Sequence, residues 1–189
     1  AIKIAQGAGY TNVKGFQQGI PGWKKAKLPV HANRGWVAKN LDQHHIIIDV
    51  RDKAQAATEH LPSAVSLPTG QLTAMTDSFI KSQKKAQLPG VADKRAPIIL
   101  YAESHSSKSV LLAFKELRNW GYKNIAIIEG GLTAWKADNL PLTSGQLASE
   151  IKFTKKLAKG AIPPADFKSL LNTPDQAVFV DVRSEAEIV

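Results

Sequence analysis

Apolar residues in this chain gather in short unbroken runs, separated by stretches where they recur at helical spacing. Ile46 to Val50 reads Ile-Ile-Ile-Asp-Val, and Pro97 to Tyr101 ends in Ile-Ile-Leu-Tyr. Continuous runs of this length, without alternation, indicate strands covered on both faces. Val65 to Leu67 and Ile125 to Ile128 are two further strand candidates. Lys108 to Asn119 carries Val110, Leu111, Ala113, Phe114 and Leu117 at helical intervals, the pattern of a helix with one apolar face. Gly121 follows it in the position glycine favours beyond a helix end. Gln71 to Lys85 reads as another helix, weakened by Thr and Ser, and Leu132 to Ala137 as a short one. Strands alternating with helices predict an α/β fold, a doubly wound and mostly parallel sheet with helices on both faces. Ligands of such sheets sit beyond the carboxyl ends of strands. The loop from Ala102 to Lys108 lies at such an end.

The pattern also repeats. "GYTNVKGFQQGIPGWKKAKLPV" from Gly9 and "GYKNIAIIEGGLTAWKADNLPL" from Gly121 align without gaps, 112 residues apart. "IIIDVRDKAQA" and "VFVDVRSEAEI" form a second echo, in which Asp49 and Asp181 lie 132 residues apart. These spacings are of domain size, longer than a solenoid repeat. The motif that ends a unit comes first, then a whole unit, then the motif that begins one. Residues 1–35 are therefore expected to be the C-terminal part of a preceding unit, and 36–143 a complete domain. Residues 144–160 are expected to be a linker, and 161–189 the N-terminal part of a following unit. By the two spacings Ala1 matches Ala113 and Val189 matches Ala57. The N-terminal piece should then supply a helix, a strand and a short helix, and the C-terminal piece a helix and the strand Ala177 to Val180. Apolar strands with open edges seek partners. Both ends are thus expected to be held by neighbouring units, in the same polypeptide or another copy.

The pieces "IIIDVRD", "EHLPSAVSLP", "PIILYAESHSSKS" and "GYKNIAIIEGGLTAWKADNLP" resemble the rhodanese-like sulfurtransferase family over about residues 36 to 143. The resemblance implies a cysteine just after the central strand, where loop amides and a helix N-terminus favour a thiolate or persulfide. Ala102 occupies that position. A methyl group neither attacks nor carries sulfur. The family's usual loop glycine is absent, and Lys108 is the best match for the basic residue that closes the loop. The loop also runs a residue or more longer than the common one. Should it keep the family's geometry, Ala102→Cys is expected to give a thiol of lowered pKa.

Ser104, His105, Ser106, Ser107 and Lys108 remain as a candidate anion-binding loop, with a small oxyanion as its expected ligand. Serine catalysis needs a base within hydrogen-bond reach and a third group to orient it. Adjacency of Ser104 and His105 in sequence establishes neither. Asp49 and Arg51 match the family's first-strand signature and are expected to hold the turn after that strand. His60, in "EHLPSAV", is expected in a turn as well. Gly130, Gly131 and Trp135 match the family's ending, with Trp135 and its counterpart Trp23 expected as core aromatics. Asp181 and Arg183 repeat the Asp-Val-Arg element.

Composition narrows the chemistry further. There is no cysteine, so no disulfide, thiolate metal site or cysteine nucleophile exists within these 189 residues. The five histidines show no metal-ligand spacing, and adjacent His44 and His45 would face opposite sides of a strand. No metal and no cofactor are expected. The net charge of +9 favours anionic partners at long range. The lysines are scattered without interleaved aromatics, however, so nucleic acid is not expected. No apolar run approaches the roughly 20 residues of a membrane helix. "AIKIAQGAGY" lacks the basic start and apolar core of a secretory signal, and neither periplasm nor cytoplasm is singled out. The expected function is a catalytically degenerate domain with a structural, anion-binding or partner-binding role in a tandem protein. The alternative is one part of an active sulfurtransferase whose cysteine lies in a neighbouring unit outside these residues.

Overall fold

The computed structural model describes residues 2–42, 44–173, 175 and 177–180. The chain divides into two units, 1–154 and 155–189. The first contains α1 (Ile2–Gly7), α2 (Gly19–Lys25), β1 (His31–Ala32), α3 (Arg34–Ala38), β2 (Ile46–Asp49), α4 (Lys53–Thr58) and β3 (Val65–Ser66). It continues through α5 (Thr69–Ser82), β4 (Ile98–Tyr101), α6 (Lys108–Asn119), β5 (Ile125–Ile128) and α7 (Gly131–Ala137). Among the described residues, five strands form one sheet in the order β1-β5-β4-β2-β3. Every pairing is parallel, with Ile46 opposite Ile98 and Ile98 opposite Ile125.

Side chains of a strand alternate between faces, and here both faces are buried. Ile46, Ile48, Ile98, Leu100 and Ile127 join Val110, Phe114 and Leu117 of α6 and Leu72 of α5 in one core. Ile47, Ile99, Tyr101 and Ile128 join Val37 of α3 and Leu132 and Trp135 of α7 in the other. That is the physical reason β2 and β4 carry no polar alternation: neither face meets water.

The helix expected over 71–85 runs over 69–82 and stops at Gln83, whose left-handed φ of 55° turns its amide onto Phe79 and Ile80 carbonyls. Two short elements were not visible in the sequence pattern. β1 has two residues and α3 five, too few to display a period. α3 starts where the Asn33 side chain accepts the Trp36 amide at 3.1 Å. Residues 144–154, expected as the start of a linker, lie along the sheet instead. The Ser66 amide donates to Ala148 at 2.9 Å, and Ile151 and Phe153 pack on the first core.

The N-terminal piece departs from expectation in two ways. Its helices form, but the expected strand between Tyr10 and Gln17 does not, and Trp23 is exposed rather than in a core. Among the described residues, the sheet takes no strand from this segment. The second unit holds α8 (Pro164–Leu171) and an edge-to-face contact of Phe167 with Phe179, ring centroids 5.5 Å apart. Ala177 to Val180, expected as a strand, has no strand conformation, and Val178 and Val180 are exposed. Asp181 and Arg183 lie outside the described residues.

Candidate functional site at the end of the central strand

β4 is the middle strand of the sheet, and its chain emerges at Ala102, which is buried. From there the loop leans on α7. Leu132 and Thr133 amides donate to the carbonyls of Ala102 and Glu103, each at 3.0 Å. The approach requires glycine at 131. With φ of 67°, a Cβ there would stand 2.7 Å from the Glu103 oxygen and 2.8 Å from the Ala102 oxygen. Gly130, also left-handed at 74°, directs its amide to His105 Nδ1 at 3.1 Å. Nδ1 thus acts as an acceptor, so the proton of the neutral ring sits on Nε2. The His105 ring meets His31 of β1 edge-on, centroids 5.2 Å apart.

The rest of the loop closes on itself. The Ser104 amide donates to Ser107 Oγ at 3.2 Å, and the Ser106 amide to Ser104 Oγ at 3.3 Å. The Ser107 amide donates to the Ser104 carbonyl at 3.1 Å. Ser104 and Ser106 hydroxyls lie 3.0 Å apart. The amides of 104, 106 and 107 are therefore occupied within the loop, contrary to an open cradle of donors. An anion would have to displace these bonds. Lys108 is exposed at the first turn of α6. Ser104 pairs with Ser106 while His105 Nδ1 takes the Gly130 amide, so this loop assembles no serine–histidine couple.

Beside the loop, β2 ends in a buried ion pair. Arg51 Nη2 donates to Asp49 Oδ2 at 2.7 Å, Nε to Oδ1 at 3.0 Å, and the Arg51 amide to Oδ1 at 3.0 Å. A further bond runs from Nη2 to the Glu59 carbonyl at 2.6 Å. Glu103 reaches Nη1 at 3.5 Å. Burial works against the guanidinium's charge, but hydrogen bonding and attraction to Asp49 prevail, and the pKa of Arg51 is raised. Tyr101, under the same guanidinium, is pushed upward by burial and by the Asp49 charge. A cleft of about 190 Å³ opens between these elements, lined by Arg51, Gln55, Thr69, Ala102, Glu103 and Ser107. Arg51 is already neutralised, so the cleft holds no free buried charge to attract a ligand. Among the described residues no group of three or more His, Asp or Glu is placed to hold a metal ion. No described helix is long and apolar enough to cross a membrane.

The family model of the rhodanese-like domain matches residues 33–138, more than half of the chain. The chain belongs to the rhodanese-like family. It is 33% identical over 96 residues to an uncharacterized protein of Synechocystis sp., covering 51% of this chain and 45% of that protein. It is 30% identical over 100 residues to the adenylyltransferase and sulfurtransferase UBA4 of Meyerozyma guilliermondii, covering 51% of this chain and 22% of that one. The match thus spans less than half the length of each of these relatives. Among solved structures, the rhodanese-like domain of an Anabaena sp. protein aligns with a TM-score of 0.46 at 20% identity, over 72% of this chain and 92% of that one. A thiosulfate sulfurtransferase from Pseudomonas aeruginosa aligns with 0.48 at 19%, over 78% of this chain and 30% of that one.

In this rhodanese-like domain Ala102, Glu103, Asp49 and Arg51 come together, while His60 stands apart. His60 exchanges backbone bonds with Thr143 at 2.8 and 2.9 Å, and its Nδ1 lies 2.9 Å from the Ala56 carbonyl. Trp135 is buried, its Nε1 donating to the Pro141 carbonyl at 2.9 Å. Sequence reasoning missed Glu103 and Thr69. Thr69 Oγ1 lies 3.2 Å from the Val50 carbonyl and 3.1 Å from that of Ser109, tying the end of β2 to α6. A charged residue directly after the central strand was the available signal for Glu103.

Proposed function

We propose that this rhodanese-like domain carries no sulfur and serves a structural or partner-binding role within a tandem protein. Ala102 is the observation that carries the reading. It stands where the family resemblance places the nucleophile, and a persulfide carrier needs a thiolate there. Two features of the surroundings support it. The amides of Ser104, Ser106 and Ser107, which would otherwise be open to an anion, are spent inside the loop. Arg51, the nearest buried cation, is held by Asp49 and Glu103.

A second reading is that a longer protein containing this chain is a sulfurtransferase whose cysteine lies in another unit. The name of the Meyerozyma relative favours it, although the match covers only 22% of that protein. Thiocyanate formation from thiosulfate and cyanide tests the first reading. The chain is expected to form none above a heat-inactivated control, and turnover would overturn the proposal. Ala102→Cys sharpens the test. With the loop closed and the position buried, the new thiol is expected to titrate at or above about 8.5, the free-cysteine value. A clearly lower value, read from alkylation rate against pH, would mean that the anion cradle survives and that one side chain alone separates this domain from a sulfur carrier.

A further inference from the structure

Residues 2–29 repeat several local features of 114–141, yet their large apolar side chains are exposed. The two short helices α2 and α7 coincide under the 112-residue shift. Left-handed residues recur at Gly9 and Gly121 (φ 92° and 93°), Gly19 and Gly131 (55° and 67°), and Lys27 and Asn139 (57° and 51°). The Tyr10 amide donates to Ala5 at 3.2 Å, as Tyr122 does to Leu117 at 3.1 Å. Trp23 Nε1 donates to Pro29 at 2.7 Å, as Trp135 does to Pro141 at 2.9 Å. Burial is the contrast. Tyr10, Phe16, Ile20 and Trp23 are 68, 52, 61 and 38% exposed, whereas Tyr122, Ile128, Leu132 and Trp135 are fully buried.

We infer that residues 2–29 are a preformed docking surface for one kind of partner: the free edge of a parallel β-sheet that forms the first half of another rhodanese-like unit. The covered copy shows what such a partner offers. β5 is held by the edge of β4. Tyr122 is held by the Leu88 amide at 2.8 Å and the Val91 carbonyl at 2.6 Å. Trp135 is enclosed with Ile47, Ile99 and Tyr101. A partner with those features would pair with Thr11–Phe16 and bury the four exposed side chains. Four large exposed apolar side chains within one short segment, with the Phe16 and Trp23 rings in edge-to-face contact at 6.0 Å, suit an interaction site. Ala5, Ala8 and Gly15 stand where the covered copy has Leu117, Trp120 and Ile127. The partner must therefore be bulkier at those three points. The inference rests on the tandem part of the reading above. The thiocyanate assay probes the loop separately, so either can fail alone.

The test supplies the missing edge. A copy of residues 36–112 is fused directly ahead of the whole chain, which preserves the spacing because Ala1 matches Ala113. A second fusion also carries Ala5→Leu, Ala8→Trp and Gly15→Ile, filling the gaps left by using this chain's own first half. Hydrogen exchange of the amides of residues 11–16 is the readout. In the unfused chain they are expected to exchange freely. In at least one fusion they are expected to slow by on the order of tenfold or more, as amides of a sheet do. Unchanged exchange in both fusions would overturn the inference. So would protection of those amides in the unfused monomer.

Discussion

Residues 2–29 and 114–141 are a natural experiment in what a sequence needs in order to finish folding. Both make the same short helix, the same indole-to-carbonyl bond and the same left-handed residue at Gly9 and Gly121, though Gly130 is left-handed where Gln18 is not. Only the second makes a strand: Ile125–Ile128 pairs with β4, whereas Thr11–Phe16 pairs with nothing. The shared features are local, closed by residues within about six positions of one another. The strand differs because its hydrogen-bond partners lie in another segment, and without them its amides turn to water. Turns and short helices are thus portable with the sequence, while a strand exists only beside a strand.

Paired substitutions sharpen that comparison. Trp135→Ala is expected to destabilise the domain by about 3–5 kcal/mol, the range for emptying a buried aromatic site. Trp23→Ala should change it by less than about 1 kcal/mol, because the ring is part-exposed and packs on no sheet. Denaturant unfolding of both variants measures the difference; equal losses would mean that the N-terminal copy is buried after all.

Glycine positions come next. Gly131→Ala forces a left-handed alanine against the loop backbone at 2.7 Å, and a loss of about 3 kcal/mol is expected from strain plus displacement. At Gly19 the nearest atom to an added Cβ is Pro21 Cδ at 3.8 Å, so only the left-handed conformation is penalised, about 1 kcal/mol. The same unfolding curves separate the two, with the expected global effect of Gly19→Ala smaller still because that segment contributes no strand to the sheet.

The tyrosines give a smaller, pH-dependent contrast. Tyr122→Phe removes the acceptor of the Leu88 amide and is expected to cost about 1–3 kcal/mol. Exposed Tyr10→Phe should cost nothing measurable. Burial raises the pKa of Tyr122, partly opposed by the Leu88 amide, and burial likewise raises that of Tyr101. A raised folded-state pKa means that the folded protein keeps a proton which the unfolded chain loses above about pH 10. Stability is therefore complete below about pH 10 and falls above it, by at most about 1.4 kcal/mol per pH unit for each such tyrosine. Tyr122→Phe should flatten that alkaline slope without removing it, since Tyr101 remains. An unchanged slope between pH 10 and 11.5 would contradict the assignment.

Much of the fold was legible because β2 and β4 are buried on both faces and read as unbroken apolar runs. β1 was not: two residues, His31 and Ala32, become a strand only because Ile127 and Glu129 amides donate to Val30 and Ala32 carbonyls. The site was legible where it is local. Asp49 and Arg51 stand two residues apart, and Ala102 directly follows its strand. The Arg51–Glu103 contact joins residues far apart in the chain, and the bond of His105 to Gly130 joins two loops. No spacing rule announces either. The serines suggested an anion site by their number and position, but hydroxyls close in sequence also satisfy one another's neighbours, which is what Ser104, Ser106 and Ser107 do.

By itself the sequence determined the main buried strands and the longer helices, the glycine turn after α6, the repeated motif and the absence of a thiol within these residues. Those properties depend on side-chain type and on interactions within a few residues. Tertiary structure alone decided which copy of the repeat becomes part of a sheet, which way the loop after β4 turns its amides, and which carboxylates meet Arg51. Each of these depends on atoms brought together from distant parts of the chain, and the free energy of such contacts exists only once the sheet has formed.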